Sequence, residues 1–132
     1  MAHNLVKLRL LAAEAQHYRC YYCESPIWES DQYAFGRLHC LRPKQAALLR
    51  STAEHLLARR DGGRDAQCNI VAACLHCNRS RHAVPAPKDP PAYREHVMSR
   101  MRRGRWLVGL LRLPSPIEQL NAVASVAQPG AA

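Results

Sequence analysis

The chain reads as a small α+β domain closed around a structural metal, and three features carry that reading. Two Cys-x-x-Cys pairs, Cys20-Tyr21-Tyr22-Cys23 and Cys74-Leu75-His76-Cys77, offer four thiolates, the number that closes a tetrahedral zinc site. With 132 residues and few aromatics the apolar core is thin, and a metal staple is a common remedy at this size. Between the pairs, the Asp61-Gly62-Gly63 turn signal separates two short apolar runs, and a helix opens near the second pair.

Taken in order, Leu5, Leu8, Leu11, Ala12 and Ala15 recur at helical spacing, with Lys7, Arg9 and Glu14 elsewhere on the wheel. This predicts an amphipathic helix from Asn4 to Gln16, with Asn4 as its cap. His17-Tyr18-Arg19 leads from it into the first cysteine pair. In residues 24–47, Pro26, Ile27, Trp28, Tyr33, Phe35 and Leu38 follow no clean period. Leu48 to Ala53 reads as a strand, while Gln45 to Arg50 fits a helical turn equally well. The glycine turn lies between Arg59-Arg60 and Arg64, so it is a basic, flexible loop. Asn69 to Ala73 returns as a second short strand. The helix that starts near the second pair carries Asn78, Arg79, Arg81 and His82. Pro85, Pro87, Pro90 and Pro91 exclude helix and central strand over residues 84–91, which reads as a stiff linker. Residues 92–113 form a basic helical extension. Its helix, Tyr93 to Arg105, has Tyr93, Val97, Met98 and Met101 on one side and Arg94, Arg100, Arg102 and Arg103 supplying charge. Packing on the domain and lying along DNA are both open to it. Residues 114–132 are small, apolar and weakly charged, a flexible tail. There is no internal repeat.

The formal charge is +9, from 19 Lys and Arg against 10 Asp and Glu. Most of the positive charge is Arg, whose planar fork grips phosphate, so the balance suits nucleic acid. Codon bias in a high-GC genome would also favour Arg. Six cysteines in a short chain can mark a secreted disulfide framework. Here the N-terminus lacks a long apolar stretch and a small-residue cleavage site, so no signal peptide is expected. Four of the six sit in metal-type pairs, which favours a reducing compartment. No apolar run approaches the roughly 20 residues of a membrane span. A soluble, cytoplasmic protein is the expectation.

The run EHLLARRDGGRDAQCNIVAACLHCN, Glu54 to Asn78, resembles the HNH endonuclease family in its zinc-ribbon-bearing ββα-metal form. The family pattern is an acidic residue and His at a strand end, a glycine loop, an Asn, then Cys-x-x-Cys followed directly by Asn or His. With Cys20 included, the resemblance covers about half the chain. It implies that residues 1–83 are an HNH nuclease domain with a structural zinc. It favours the strand over the helical turn before Glu54, which completes a β-β-α unit. It also makes residues 24–47 longer than the family pattern usually needs, so an insertion or lengthened hairpin is expected there.

Cys20, Cys23, Cys74 and Cys77 leave no coordination position open, so their zinc should be structural. Cys40 and Cys68 are left over and read as buried small hydrophobes or incidental thiols. Glu54 and Asn78 suit one catalytic divalent ion such as magnesium or manganese (Mg2+ or Mn2+). His82, one helical turn past Asn78, is a further candidate ligand or phosphate contact. The family more often has Asp where Glu54 stands, so Glu54 must retract or tilt to place its oxygen. The resemblance makes His55 the general base, since a neutral imidazole can take a proton from attacking water. It makes Asn69 the residue that ties the glycine loop to the His strand by side-chain to backbone hydrogen bonds. Arg59, Arg60, Arg64, Arg79 and Arg81 crowd the same region and suit phosphate positioning.

The activity implied is metal-dependent hydrolysis of DNA phosphodiester bonds, leaving 3′-hydroxyl and 5′-phosphate. The partner implied is double-stranded DNA. One small centre nicks one strand, and a double-strand break needs a homodimer or two encounters. A non-catalytic zinc-ribbon module that binds nucleic acid is the alternative. A protein whose basic face meets another protein is the third reading. The two non-enzymatic readings leave the Glu54, His55 and Asn78 set without a purpose.

Overall fold

Ala2–Ala15 form helix α1 in a computed structural model that describes residues 2–107. The helix starts ahead of Asn4, which lies within its first turn and is not the cap. Its buried side runs through Leu8 and Ala13, with Ala12 packed alongside, while Val6, Leu10 and Leu11 are exposed. Leu11 and Ala15 therefore fall outside the buried face that periodicity predicts. Ala13 joins Ala72 and Ala73 in one buried cluster. Small residues on both sides let helix and sheet approach closely, and the bulky leucines are displaced to the margins.

Residues 24–47 depart from the lengthened hairpin that the family pattern suggests. They form two short helices, α2 (Gln32–Leu38) and α3 (Pro43–Ala47). Local capping makes them: Asp31 Oδ1 accepts from Ala34 N at 2.9 Å, and Gln45 Oε1 accepts from Arg42 N at 2.9 Å. Pro43 opens α3, where its fixed φ suits a first turn. Elements this short show no period, so composition hid them. Trp28 fastens the segment by donating from Nε1 to Ala46 O at 2.7 Å.

Strand β1 is Ser51–His55 and pairs antiparallel with β2, Ile70–Cys74, from Ser51 opposite Cys74 to His55 opposite Ile70. The strand begins three residues later than Leu48, because Leu48–Arg50 turn out of α3, with Leu49 N donating to Ala46 O at 3.0 Å. The outer edge of β2 is covered by a side chain acting as a strand. Gln16 donates to Ala72 O at 2.8 Å and accepts from Ala72 N at 2.9 Å. Helix α4, Leu75–His82, follows β2 without a loop, and Cys74 is its N-cap.

Helix α5 spans Pro90–Arg102. It starts earlier than Tyr93 because Asp89 caps it, accepting from Ala92 N at 2.9 Å. Pro90 and Pro91 occupy its first turn, where a missing N–H costs nothing. The question left open for this helix is answered by burial: Tyr93 and Val97 are inside, and Trp106 beyond the helix is 9 % exposed. Tyr93 Oη donates to Cys77 O at 2.8 Å, so α5 packs on the domain and braces the second cysteine pair. The expected tail, 114–132, and the end of the basic extension lie outside the described residues. Among the described residues no helix is long and apolar enough to cross a membrane.

Both glycines of the loop are required, for different reasons. Gly62 has φ of 93°, a left-handed conformation with open space around it. Gly63 is a close approach: a Cβ there would lie 1.7 Å from Leu57 O. Gly62→Ala should cost about 1 kcal/mol of backbone strain. Gly63→Ala must move backbone and should cost about 1–3 kcal/mol. Urea unfolding of the two variants checks this order, and equal midpoints would refute the close-approach argument.

Candidate functional site

The four paired cysteines converge at the junction of the first knuckle, β2 and α4. All are buried, and their ligand atoms lie within 4.8 Å of one another. Tetrahedral zinc–thiolate bonds of about 2.3 Å place sulfurs about 3.8 Å apart, and Cys23 Sγ to Cys74 Sγ is 3.9 Å. The cluster is thus compatible with a structural zinc in both donor type and spacing. Backbone N–H groups already point at the sulfurs: Tyr22 N and Cys74 N at Cys20 Sγ (3.4 and 3.2 Å), Cys77 N at Cys74 Sγ (3.3 Å). Trp106 Nε1 adds a contact to Cys77 Sγ at 3.4 Å. Burial resists ionisation of Cys20, but hydrogen bonds from Cys23, Cys74 and Cys77 overcome it and lower its thiol pKa. Its bond to Cys20 then raises Cys74, and burial followed by the bond to Cys20 raises Cys77. Four sulfurs share too little positive charge, which a bound dication would supply. Cys40 and Cys68 are exposed. Of the two readings for them, the buried one is corrected.

Adjacent to this cluster, β1 and α4 bring the second group together. Glu54 is 2 % exposed, deeper than expected of a residue at a strand end. Its Oε1 meets His82 Nε2 at 3.0 Å and Arg81 Nη1 at 3.4 Å, and its Oε2 accepts from Tyr22 Oη at 3.4 Å. Burial, followed by the nearby Glu54 charge, pushes the Tyr22 phenol well above its ordinary pKa, so it stays a donor. Asn78 donates from Nδ2 to Thr52 Oγ1 at 3.0 Å, which leaves Oδ1 as the atom available to a cation. Glu54, Asn78 and His82 offer carboxylate, amide and imidazole atoms from facing elements. Cis ligands of an octahedral ion with bonds of about 2.1 Å stand about 3.0 Å apart, the Glu54–His82 separation. The donor set fits a divalent ion, although Arg81 competes for the same carboxylate oxygen.

His55, next along the strand, meets a different partner. Its Nε2 is 2.7 Å from Asp65 Oδ1. Asp65 in turn takes two short bonds from Arg59 Nη2, at 2.8 and 3.0 Å. The His55 bond, reinforced by Arg59, holds the Asp65 carboxyl below the usual carboxylate range. It therefore keeps its charge to lower pH than a free aspartate. Asn69 clamps the loop to the strand: Leu57 N donates to its Oδ1 at 2.8 Å, and its Nδ2 donates to Leu57 O at 3.0 Å and Arg64 O at 2.9 Å.

The five arginines separate by environment. Arg60, Arg64 and Arg79 are exposed. Arg59 is exposed but bound to Asp65. Arg81 is buried, donating from Nε to Lys88 O at 3.1 Å besides its pairing with Glu54, so its guanidinium is turned into the protein and away from solvent. Sequence reasoning missed Asp65 and Tyr22. An acidic residue just past a basic glycine loop was the available signal for Asp65, but only the hairpin carries it to His55. Tyr22 lay inside a cysteine knuckle and was hidden by it.

Residues 38–83, about a third of the chain, match the HNH endonuclease family model. This stretch holds β1, the glycine loop, β2, the second cysteine pair and α4, and over it the resemblance read from Glu54 to Asn78 is borne out. HNH domains are in general nucleases that bind metal and act on nucleic acid. No curated protein and no solved structure matches the chain.

Proposed function

We propose, on the premise of that HNH match, that the protein is a metal-dependent endonuclease hydrolysing phosphodiester bonds in double-stranded DNA. The observation that carries the reading is the contact between Glu54 on β1 and His82 on α4, with Glu54 Oε1 3.0 Å from His82 Nε2, while Asn78 on the same helix bonds Thr52 on the same strand. His55 accepts the proton of a water as its oxygen bonds to phosphorus. The P–O3′ bond breaks, and the leaving oxygen takes a proton from solvent water to end as a 3′-hydroxyl. Glu54, Asn78 and His82 would hold the divalent ion, magnesium or manganese, which when bound polarises the scissile phosphate and neutralises the leaving oxygen. Cys20, Cys23, Cys74 and Cys77 would hold zinc, which fixes α4 against β2 and the first knuckle so that Asn78 and His82 keep their position. Asn69 holds the loop and the His55 strand together. Arg60, Arg64 and Arg79 position phosphates.

One observation favours the second reading, a nucleic-acid-binding module without catalysis. Arg81 pairs with Glu54 in a buried setting, and that fixed charge weakens the carboxylate's hold on a cation. Plasmid nicking across a panel of divalent ions separates the two, with His55→Ala as control. Metal-dependent nicking that His55→Ala loses supports the enzyme. Binding without nicking under every ion supports the module.

Binding itself should weaken steeply with salt. Replacing Arg60, Arg64 and Arg79 together by Gln should reduce the magnitude of the log–log salt slope by about 2–3, similarly on unrelated sequences. Fluorescence anisotropy at several salt concentrations checks this. An affinity flat from low to physiological salt would point to a protein partner.

A further inference from the structure

We propose that Asp65 is the positioning residue for His55, fixing the ring so that Nε2 carries the hydrogen and Nδ1 is the proton acceptor. This rests on the reading of His55 as general base and adds to it the atom that acts and the residue that selects it.

The tautomer follows from the contacts. An ionised carboxylate has only acceptor sites, so the 2.7 Å contact between Asp65 Oδ1 and His55 Nε2 places the hydrogen on Nε2. Arg59 Nε also lies 3.3 Å from Nε2, but a ring nitrogen that donates has no lone pair to offer it. The stronger partners of Arg59 are the Asp65 oxygens, both met by Nη2 at 2.8 and 3.0 Å. Arg59 therefore acts on Asp65, setting the plane of its carboxylate.

The arrangement is braced beyond these three side chains. Asn69 bonds Arg64 O, next to Asp65, and both backbone groups of Leu57, two residues past His55. The loop that carries Asp65 is thus pinned to the strand end that carries His55. The two side chains are only 24 % and 16 % exposed, so the pair is largely shielded from water. With Nε2 committed, Nδ1 is the remaining basic atom, and it has no hydrogen-bond partner among the described residues. In the reaction Nδ1 gains the proton that water loses as its oxygen bonds to phosphorus. The ring becomes imidazolium and releases that proton to solvent. Asp65 stabilises the charged ring and takes no proton itself, as the orienting carboxylate of a nucleophile–base–orienter set does.

The test pairs a spectroscopic readout with kinetics. Ring 15N–1H correlation spectra of the zinc-loaded protein, without the second ion, should show His55 with its hydrogen on Nε2. In Asp65→Asn the amide offers both a donor and an acceptor, so the ring should become a mixture of tautomers. That variant should lose about 10²-fold in kcat through misorientation, with KM nearly unchanged and zinc retained. Asp65→Glu, which keeps the charge, should retain more activity than Asp65→Asn. Wild-type cleavage by Asp65→Asn, or a His55 ring protonated on Nδ1 in the wild type, overturns the proposal. If His55→Ala still nicks DNA, the general-base reading falls and takes the role of Asp65 with it. The ring spectrum distinguishes that failure, because it reports the Asp65 contact whether or not the ring is catalytic.

Discussion

His55→Ala should abolish plasmid nicking while zinc content, fold and DNA affinity stay nearly those of the wild type. A general base acts only in the transition state, so its loss belongs to the rate and not to ground-state binding. General-base assistance is typically worth about 10²–10⁴-fold. A ring already oriented by a 2.7 Å bond should lie toward the upper end. The side chain is partly accessible and carries no core packing, so truncation should leave the hairpin formed; its cost is the loss of a partner for Asp65, which Arg59 still holds. The measurement is single-turnover nicking of supercoiled plasmid with magnesium or manganese, beside anisotropy for DNA affinity. Asn78→Ala should also lose activity, with partial rescue by higher metal concentration. At the acidic position Glu54→Gln is the cleaner variant, because Glu54→Ala would strand the buried Arg81 without its partner. Near wild-type nicking by His55→Ala would defeat the assignment and leave the binding module as the better account.

Cys20→Ala or Cys77→Ala should unfold the protein. Apparent binding energies for structural zinc in zinc-finger peptides are about 10–16 kcal/mol, while the whole stability of a small domain is about 5–15 kcal/mol. Here the cluster joins the first knuckle, β2 and α4, and α5 leans on it through Tyr93 and Trp106. Loss of one ligand therefore releases elements from both halves of the described chain. Purified protein should contain one zinc per chain, and either variant should lose its cooperative melting transition by circular dichroism. Cys40→Ser and Cys68→Ser, at exposed positions, should melt like the wild type. A folded wild-type protein found free of zinc by elemental analysis would remove the claim.

The four-cysteine cluster and the Glu54–His55 strand end were legible in the sequence because their chemistry is spaced along the chain itself. A Cys-x-x-Cys pair is a local knuckle, and two of them are complementary whatever lies between. Asp61-Gly62-Gly63 was legible for the same reason, since its left-handed residue and its close approach are local demands. His82 was identifiable as a neighbour of Asn78 on one helical face, and it does meet Glu54. Residues 24–47 were not legible as helices. Their caps at Asp31 and Arg42 are local hydrogen bonds on helices of seven and five residues, too short to leave a period.

What the sequence determined by itself was which residue types could do chemistry together: four thiolates, an acid–imidazole pair and an amide, each marked by short-range spacing. The partners of those groups were decided by tertiary structure alone. Arg81 was one of five arginines suited to phosphate positioning, but the packing of α4 against β1 turns it inward onto Glu54 at 3.4 Å. Asp65 was an unremarked loop residue until the antiparallel pairing of β1 and β2 folded it back onto His55. Helix α5 was a basic extension of open purpose until Tyr93, Val97 and Trp106 buried themselves beside the second cysteine pair. Ligand type is a property of the residue, whereas charge pairing and burial are properties of which surfaces meet, and only the folded chain brings those surfaces together.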